Sequence, residues 1–334
     1  MIADILNTLA ARRDLPDAAL RGVLREMMAG RCGDADAAAF LIALKMKGET
    51  AGEIAASAQV LREHMVRWDP GRPDVLDTCG TGGDGLGTFN ISTATALVLA
   101  GCGVPVVKHG NRSVSSKSGS ADVLAALGVK IDGDVVHAQR CLREAGFAFC
   151  FAPLFHPALK HVAAVRKRLG VPTIFNCLGP LANPAGAQRQ LLGVGRIDLL
   201  DRMAGAAARL GTRRALLVCS DDGLDEVSLS AATQVREVVG GQVRSLTWTP
   251  ADFGLDSCTI AELIAADAEA SAQLVRRILA GEASAAARVT IANAAAGLLA
   301  AERVATLPAG VALATESIQA GRAQAVLEKL QRLQ

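Results

Sequence analysis

Between Asp77 and Ala94 the chain reads DTCGTGGDGLGTFNISTA, five glycines followed by Asn90, Ser92 and Thr93 where an apolar run begins. Glycine at this density costs chain entropy, so a folded protein keeps it where backbone turns sharply or presses against a ligand. Gly80, Gly82 and Gly85 satisfy G-x-G-x-x-G, but a dinucleotide site also needs an acidic residue about 20 positions further on. After Asp84 no Asp or Glu occurs until Asp122, and G-x-x-x-x-G-K-[ST] is absent, so neither a dinucleotide site nor a nucleoside-triphosphate loop is expected. The acid-free interval carries Lys108, His109, Arg112 and Lys117, mixed with Ser113, Ser115, Ser116, Ser118 and Ser120. Cationic heads, hydroxyls and exposed amides are what phosphate oxygens require. A helix starting near Ser92 and Thr93 adds N–H donors and the positive end of its dipole.

A second constellation is DDGLDEVS, Asp221 to Ser228, after the strand-like ALLVC. Adjacent carboxylates Asp225 and Glu226 at a strand end suit a hard divalent cation such as Mg²⁺, which shares its shell with water and phosphate oxygens. The same pattern also describes an acidic surface turn, and the residues alone leave the two readings open.

These groups need a scaffold that brings them to one edge. VLDTC reads as a strand, Ser92 to Ala100 as a helix, VPVVKHG as a strand and SADVLAALG as a helix, and the alternation continues through VVHAQRCLREAG, FAFCFAPL, LLDRMAGAAARLG and RALLVCSD. This predicts an α/β fold with a mainly parallel central sheet flanked by helices. In such a sheet two loops following two consecutive strands open at the same carboxyl edge and can hold two ends of one polyphosphorylated ligand. The first stretch reads as helix only: Asp17 is a candidate cap, and Thr50 with Glu53 has capping-box spacing. DPGRPD, Asp69 to Asp74, breaks the pattern. We therefore expect a small all-helical domain over 1–70, joined by a returning segment near 166–185, and an α/β domain over 71–334 that carries the anion-binding loops.

Bulk chemistry excludes other classes. With 35 basic against 33 acidic residues the formal charge is +2, and aromatics make up 3%, which argues against a nucleic-acid-binding surface. No apolar run is long and clean enough to span a bilayer. Eight scattered cysteines without C-x-x-C, and a start lacking a secretory pattern, read as reduced thiols in a cytoplasm.

CGTGGDG, TFNIST, KHGNR, SSKSGSAD, FAPLFHPALKHV, FNCLGPLANP and DGLDE occur in an order and spacing that resembles the anthranilate phosphoribosyltransferases over nearly the whole chain. The resemblance implies transfer of the phosphoribosyl group of phosphoribosyl pyrophosphate to the amine of anthranilate, with release of pyrophosphate, in tryptophan biosynthesis. It also implies Mg²⁺ and a homodimer, and leaves association with a glutamine amidotransferase or anthranilate synthase open. By position, Lys108 and Asp84 would be catalytic. Phosphoribosyl pyrophosphate would meet Gly80, Gly83, Asp84, Thr88, Asn90, Ile91, Ser92, Thr93, Lys108, His109, Gly110, Asn111, Arg112, Ser113, Val114, Ser115, Ser116 and Ser120. Anthranilate would meet Gly80, Asn111, His156 and Arg166, and the metal Ser92, Asp225 and Glu226. Only the resemblance selects Arg166 over Lys167 and Arg168, and His156 reads equally as a structural histidine beside Pro157.

The chain departs from the pattern at Pro172-Thr173, Cys219-Ser220 and Phe155, which concerns the anthranilate pocket rather than the phosphate or metal motifs. Two alternatives share the scaffold: a pyrimidine nucleoside phosphorylase, disfavoured by KHGNR and DGLDE, and a noncatalytic nucleic-acid-binding relative.

Overall fold

The computed structural model describes residues 2–113 and 118–334. Four helices open the chain: α1 (Ile2–Ala10), α2 (Asp17–Met28), α3 (Asp34–Lys47) and α4 (Ala51–Glu63). The capping box before α4 is formed: Glu53 N–H donates to Thr50 Oγ1 at 3.1 Å and Thr50 N–H to Glu53 Oε2 at 2.9 Å. The expected Asp17 cap is displaced by one residue. Pro16 is the cap, and Asp17 opens the helix, where it pairs with Arg21 one turn on at 2.7 Å. Proline fixes the extended entry and needs no N–H there, while the carboxylate sits at the positive end of the helix dipole.

Among the described residues seven strands form one sheet in the order β3-β2-β1-β4-β5-β6-β7: β1 (Leu76–Gly80), β2 (Val106–Gly110), β3 (Phe147–Phe151), β4 (Arg189–Gly193), β5 (Arg214–Ser220), β6 (Thr233–Val239) and β7 (Gln242–Trp248). The first five are parallel, and β6 and β7 add an antiparallel hairpin. The crossovers and connections include α5 (Ile91–Gly101), α6 (Ser120–Ala126), α7 (Val135–Ala145), α8 (Ala152–Phe155), α9 (Lys160–Leu169), α10 (Phe175–Leu178) and α11 (Ile197–Arg209). Register pairs Gly80 with Gly193 and Gly110 with Phe151. The carboxyl ends of β1 to β4 therefore finish level, and their loops share one edge.

Alternate strand residues feed two apolar clusters, as a sheet covered on both faces requires. Leu216 and Val218 join α5, α6 and the C-terminal helices over 268–332, whereas Ala215 and Leu217 join α11, the apolar residues of α1 to α4 and the segment 162–182. The N-terminal helices thus share a continuous core with one sheet face across the Asp69–Asp74 break. No helix is long and apolar enough to cross a membrane among the described residues.

Candidate active site

The segment after β1 departs at Gly80, where an added Cβ would sit 3.2 Å from Gly193 O and 3.3 Å from Asp225 Oδ2. Glycine here lets the Asp225 carboxylate close against the strand end. Gly82, Gly83, Gly85 and Gly87 have φ of 62°, 90°, 72° and 70°, conformations that L-residues rarely adopt. The near end of the loop is pinned by Thr81 N–H on Gly193 O at 2.9 Å. The far end is held by Ala265 N–H on Gly87 O at 3.1 Å and by the Thr88–Ile264 bridge. Within it, Asp84 Oδ1 accepts from Leu86 N–H at 3.3 Å. Asn90 then caps α5, its Oδ1 accepting from Thr93 N–H at 3.1 Å. Ile91 is buried and donates its N–H to Phe89 O at 2.8 Å, so it positions the helix start instead of offering a free amide.

At the end of β2, Lys108 is buried, and its Nζ donates to Thr78 O and to Ser92 Oγ, the latter at 3.0 Å. The ammonium is thereby fixed between the β1 end and the first turn of α5. Beyond it, a Cβ on Gly110 would overlap Ser120 Oγ, and a Cβ on Gly119 would overlap the backbone of Asn111 to Ser113, so the loop closes tightly on the start of α6. Asp122 organises that closure, taking Ser113 N–H at 2.9 Å, Gly119 N–H at 3.0 Å and the Arg112 guanidinium at 2.9 Å. Arg112 is therefore ion-paired, while Asn111 is exposed and its Oδ1 accepts from Arg112 N–H at 2.8 Å. Val114, Ser115 and Ser116, also named from sequence, lie outside the described residues.

Asp77, Asp225 and Glu226 act on this lysine, and Asp84 adjoins the last two. Burial and the adjacent Asp84 push Asp225 up to about 7. Burial and Asp225 raise Glu226 well above the ordinary carboxylate range, with Lys108 opposing. Burial lowers Lys108, against the pull of Asp77, Cys79, Glu226 and Asp225. Negative charge crowded at this edge with one ammonium to balance it is the electrostatic setting that a divalent cation relieves, so the donor set fits Mg²⁺. Among the described residues no group of three or more His, Cys, Asp or Glu could hold a metal ion by itself, so a cation here would need oxygens from the substrate and water.

Beneath the site lies a network that sequence reasoning missed. Asp77, fully buried and pushed up to about 6 chiefly by that burial, accepts from His109 N–H at 3.2 Å and from Asn183 Nδ2 at 2.8 Å. An acid inside the apolar strand VLDTC was the available signal. Its partner is 106 positions away and carries none.

His109 and His156 lie against each other with ring centroids 4.8 Å apart and ring planes tilted by 42°. Nδ1–H of His109 donates to Gly179 O at 3.0 Å, and Nε2 is an acceptor without a partner among the described residues. Among the same residues neither His156 nitrogen has a well-aligned hydrogen-bond partner, although the Ala182 backbone is near enough to favour the charged ring slightly. Burial lowers His109 to about 3 and His156 to about 4, so both rings are neutral at physiological pH. Arg166 in α9 lies over the Phe175 ring at 5.2 Å, its guanidinium lowered by burial and without a carboxylate partner among the described residues. A planar aromatic carboxylate complements such a half-buried, unneutralised fork.

A cleft of about 320 Å³ opens beside the glycine loop, lined by Lys45–Glu49, Thr81–Gly83, Pro172, Thr173 and the first turn of α11. It includes Gly82 and Gly83 of the loop, and Pro172 and Thr173, where the chain departs from the family pattern.

Comparison with known proteins gives the family. A family model described as "Glycosyl transferase family, a/b domain" matches residues 72–324, and one described as "Glycosyl transferase family, helical bundle domain" matches residues 3–65. The chain is 47% identical over 332 residues to an anthranilate phosphoribosyltransferase of Methanosphaerula palustris, covering 99% of this chain and 98% of that one. Its structure is similar to that of anthranilate phosphoribosyltransferase from Thermus thermophilus, with a TM-score of 0.91, 41% identity and 99% of each chain covered. It is similar also to the Saccharomyces cerevisiae enzyme in complex with PRPP and Mg, with a TM-score of 0.91, 28% identity, and 99% of this chain and 97% of that one covered.

Proposed function

The chain belongs to the glycosyl transferase family of the anthranilate phosphoribosyltransferases, and from that premise we infer what its site does. The protein transfers the phosphoribosyl group of phosphoribosyl pyrophosphate to the amine of anthranilate, releasing pyrophosphate, in tryptophan biosynthesis. The observation that carries the residue assignment is the convergence of Lys108, Ser92, Asp84, Asp225 and Glu226 at one sheet edge, between two loops built to accept anions.

In the reaction the amine nitrogen forms a bond to the anomeric carbon while the bond from that carbon to pyrophosphate oxygen breaks. Pyrophosphate leaves with the electron pair, and the amine then loses a proton. The arylamine is neutral at pH 7 and carries a lone pair, so the chain mainly holds two substrates in line. We assign the pyrophosphate and ribose to Gly80, Gly83, Asp84, Thr88 and Asn90 to Thr93, with Ile91 acting through the helix start it fixes. Lys108, positioned by Thr78 and Ser92, stabilises the charge that grows on the leaving group. Gly110 to Ser113 and Ser120 hold the far phosphate, with Arg112 oriented by Asp122; His109 offers it no free donor, since its backbone N–H goes to Asp77 and its Nδ1–H to Gly179 O. Arg166 and Asn111 orient the anthranilate carboxylate, and His156 and His109 border it as neutral, uncharged walls. Ser92, Asp225 and Glu226 would hold Mg²⁺, which supplies charge neutralisation on the diphosphate. The family resemblance supports a cytoplasmic homodimer, which sedimentation velocity tests.

The direct test follows the loss of anthranilate fluorescence with purified protein. Turnover should require both phosphoribosyl pyrophosphate and Mg²⁺. Absence of turnover with both present would overturn the assignment.

A further inference from the structure

Five consecutive residues, Gly179 to Asn183, are each gripped or flanked by a polar side chain from elsewhere. Gly179 O accepts from His109, and Pro180 O accepts from Gln190 Nε2 at 2.7 Å. Leu181 O accepts from Arg62 Nε at 2.7 Å. The Ala182 backbone lies beside the His156 ring, and Asn183 donates to Asp77 Oδ2 and Val107 O, both at 2.8 Å. Most of these groups belong to the sheet or its loops. Arg62 alone among them comes from α4, in the N-terminal helices.

Arg62 is unusual in a second way. Among the described residues, only Arg62 and Arg166 have guanidinium groups lowered by burial, and neither has a carboxylate within ion-pair distance. Holding a half-buried cation with one carbonyl and no carboxylate as partner has a desolvation cost, and the contact obtained for it is the one to the Leu181 carbonyl. The carbonyl belongs to the segment that backs both buried imidazoles, and α4 packs directly on α10, whose Phe175 carries Arg166.

We propose that Arg62 is a positioning residue for the acceptor: through the Leu181 carbonyl it fixes the 179–183 segment, and with it the wall formed by His109 and His156. This rests on the anthranilate side lying where Arg166 and His156 place it. The role is in acceptor binding, so it separates from the phosphate loops, which Arg62 does not touch.

Steady-state kinetics of the full-length protein test this with two variants. Arg62→Ala removes the donor and should raise the anthranilate KM about three- to tenfold, the range expected for one lost hydrogen bond. The phosphoribosyl pyrophosphate KM should stay within about twofold, well inside that range. Arg62→Gln places an amide N–H donor the same number of bonds from Cα as Arg Nε, and it should restore most of the anthranilate KM. Should Arg62→Ala fail to fold, Arg62→Met, which keeps an apolar stem without a donor, takes its place. Equal shifts in both KM values, no shift, or a Gln variant as impaired as Ala would each overturn the proposal. Arg166→Ala run alongside separates the two readings. If it leaves the anthranilate KM unchanged, the acceptor assignment itself fails; if it raises that KM while Arg62→Ala does not, only the role of Arg62 fails.

Discussion

Arg166 and the two adjacent buried imidazoles carry the sharpest predictions at the scale of single residues. Arg166→Ala should weaken anthranilate binding by about 2 kcal/mol, the loss of a charge-assisted pair, with little change in the phosphoribosyl pyrophosphate KM. A reversed pattern in initial-rate kinetics would move the acceptor site elsewhere. His156 makes a prediction about pH. Its folded value is about 4 against an ordinary 6.5, so as pH falls below 6.5 the unfolded chain binds a proton that the folded chain refuses. The stability it contributes is complete above pH 6.5 and lost as pH falls toward 4, at a limiting slope of about 1.4 kcal/mol per pH unit. Relative to His156→Gln, the native chain should therefore lose stability more steeply between pH 6.5 and 4 in urea denaturation. Parallel curves would show that the ring is not held neutral. The residues legible from sequence at this scale were those whose types suit phosphate oxygens: glycines, serines, Lys108. Asp77, Asn183 and Arg62 were not, because their partners lie 106, 106 and 119 positions away and only the folded chain brings them together.

Elements were legible where a local signal set them. The Thr50–Glu53 box is visible as spacing alone, and it forms as expected. Thr50→Ala should cost about 1 kcal/mol of stability in denaturant melts, as loss of a helix cap does. No change would mean that Glu53, which also pairs with Lys47 at 2.7 Å and accepts from Leu15 N–H at 3.2 Å, holds the helix start alone. The alternation of helices and apolar strands gave β1, β2, β3 and β5. It did not give β4, a short strand opening with Arg189 and Gln190, whose side chains find Glu302 and Pro180 O far along the chain. Nor did it give the β6–β7 hairpin. Its local signal was weak: burial alternates along β6 only as far as Glu237, and β7 is mostly exposed, so the main cue was Gly240-Gly241, at φ of 55° and 82°, the geometry of a primed turn.

At the scale of the whole molecule, the parallel order of β1 to β5 does the positioning. Parallel strands deliver their loops to one edge, so segments far apart in sequence, after β1, β2 and β5, meet around Lys108. The N-terminal helices, residues 162–182 and one sheet face share an apolar cluster across the Asp69–Asp74 break. Unfolding should accordingly be one transition: far-ultraviolet circular dichroism, which follows the helices, and fluorescence of the buried Trp68 and Trp248 should trace the same denaturant curve. An earlier circular dichroism phase would mean that the helices melt independently. The central claim is that two neighbouring loops hold one phosphoribosyl pyrophosphate while the carboxylates between them recruit its cation. A crystal structure of the protein soaked with phosphoribosyl pyrophosphate and Mg²⁺ tests it most directly. The account predicts the diphosphate against Gly80 to Asp84 and Lys108, with metal density beside Ser92, Asp225 or Glu226; a diphosphate bound elsewhere, with those residues bare, would contradict it.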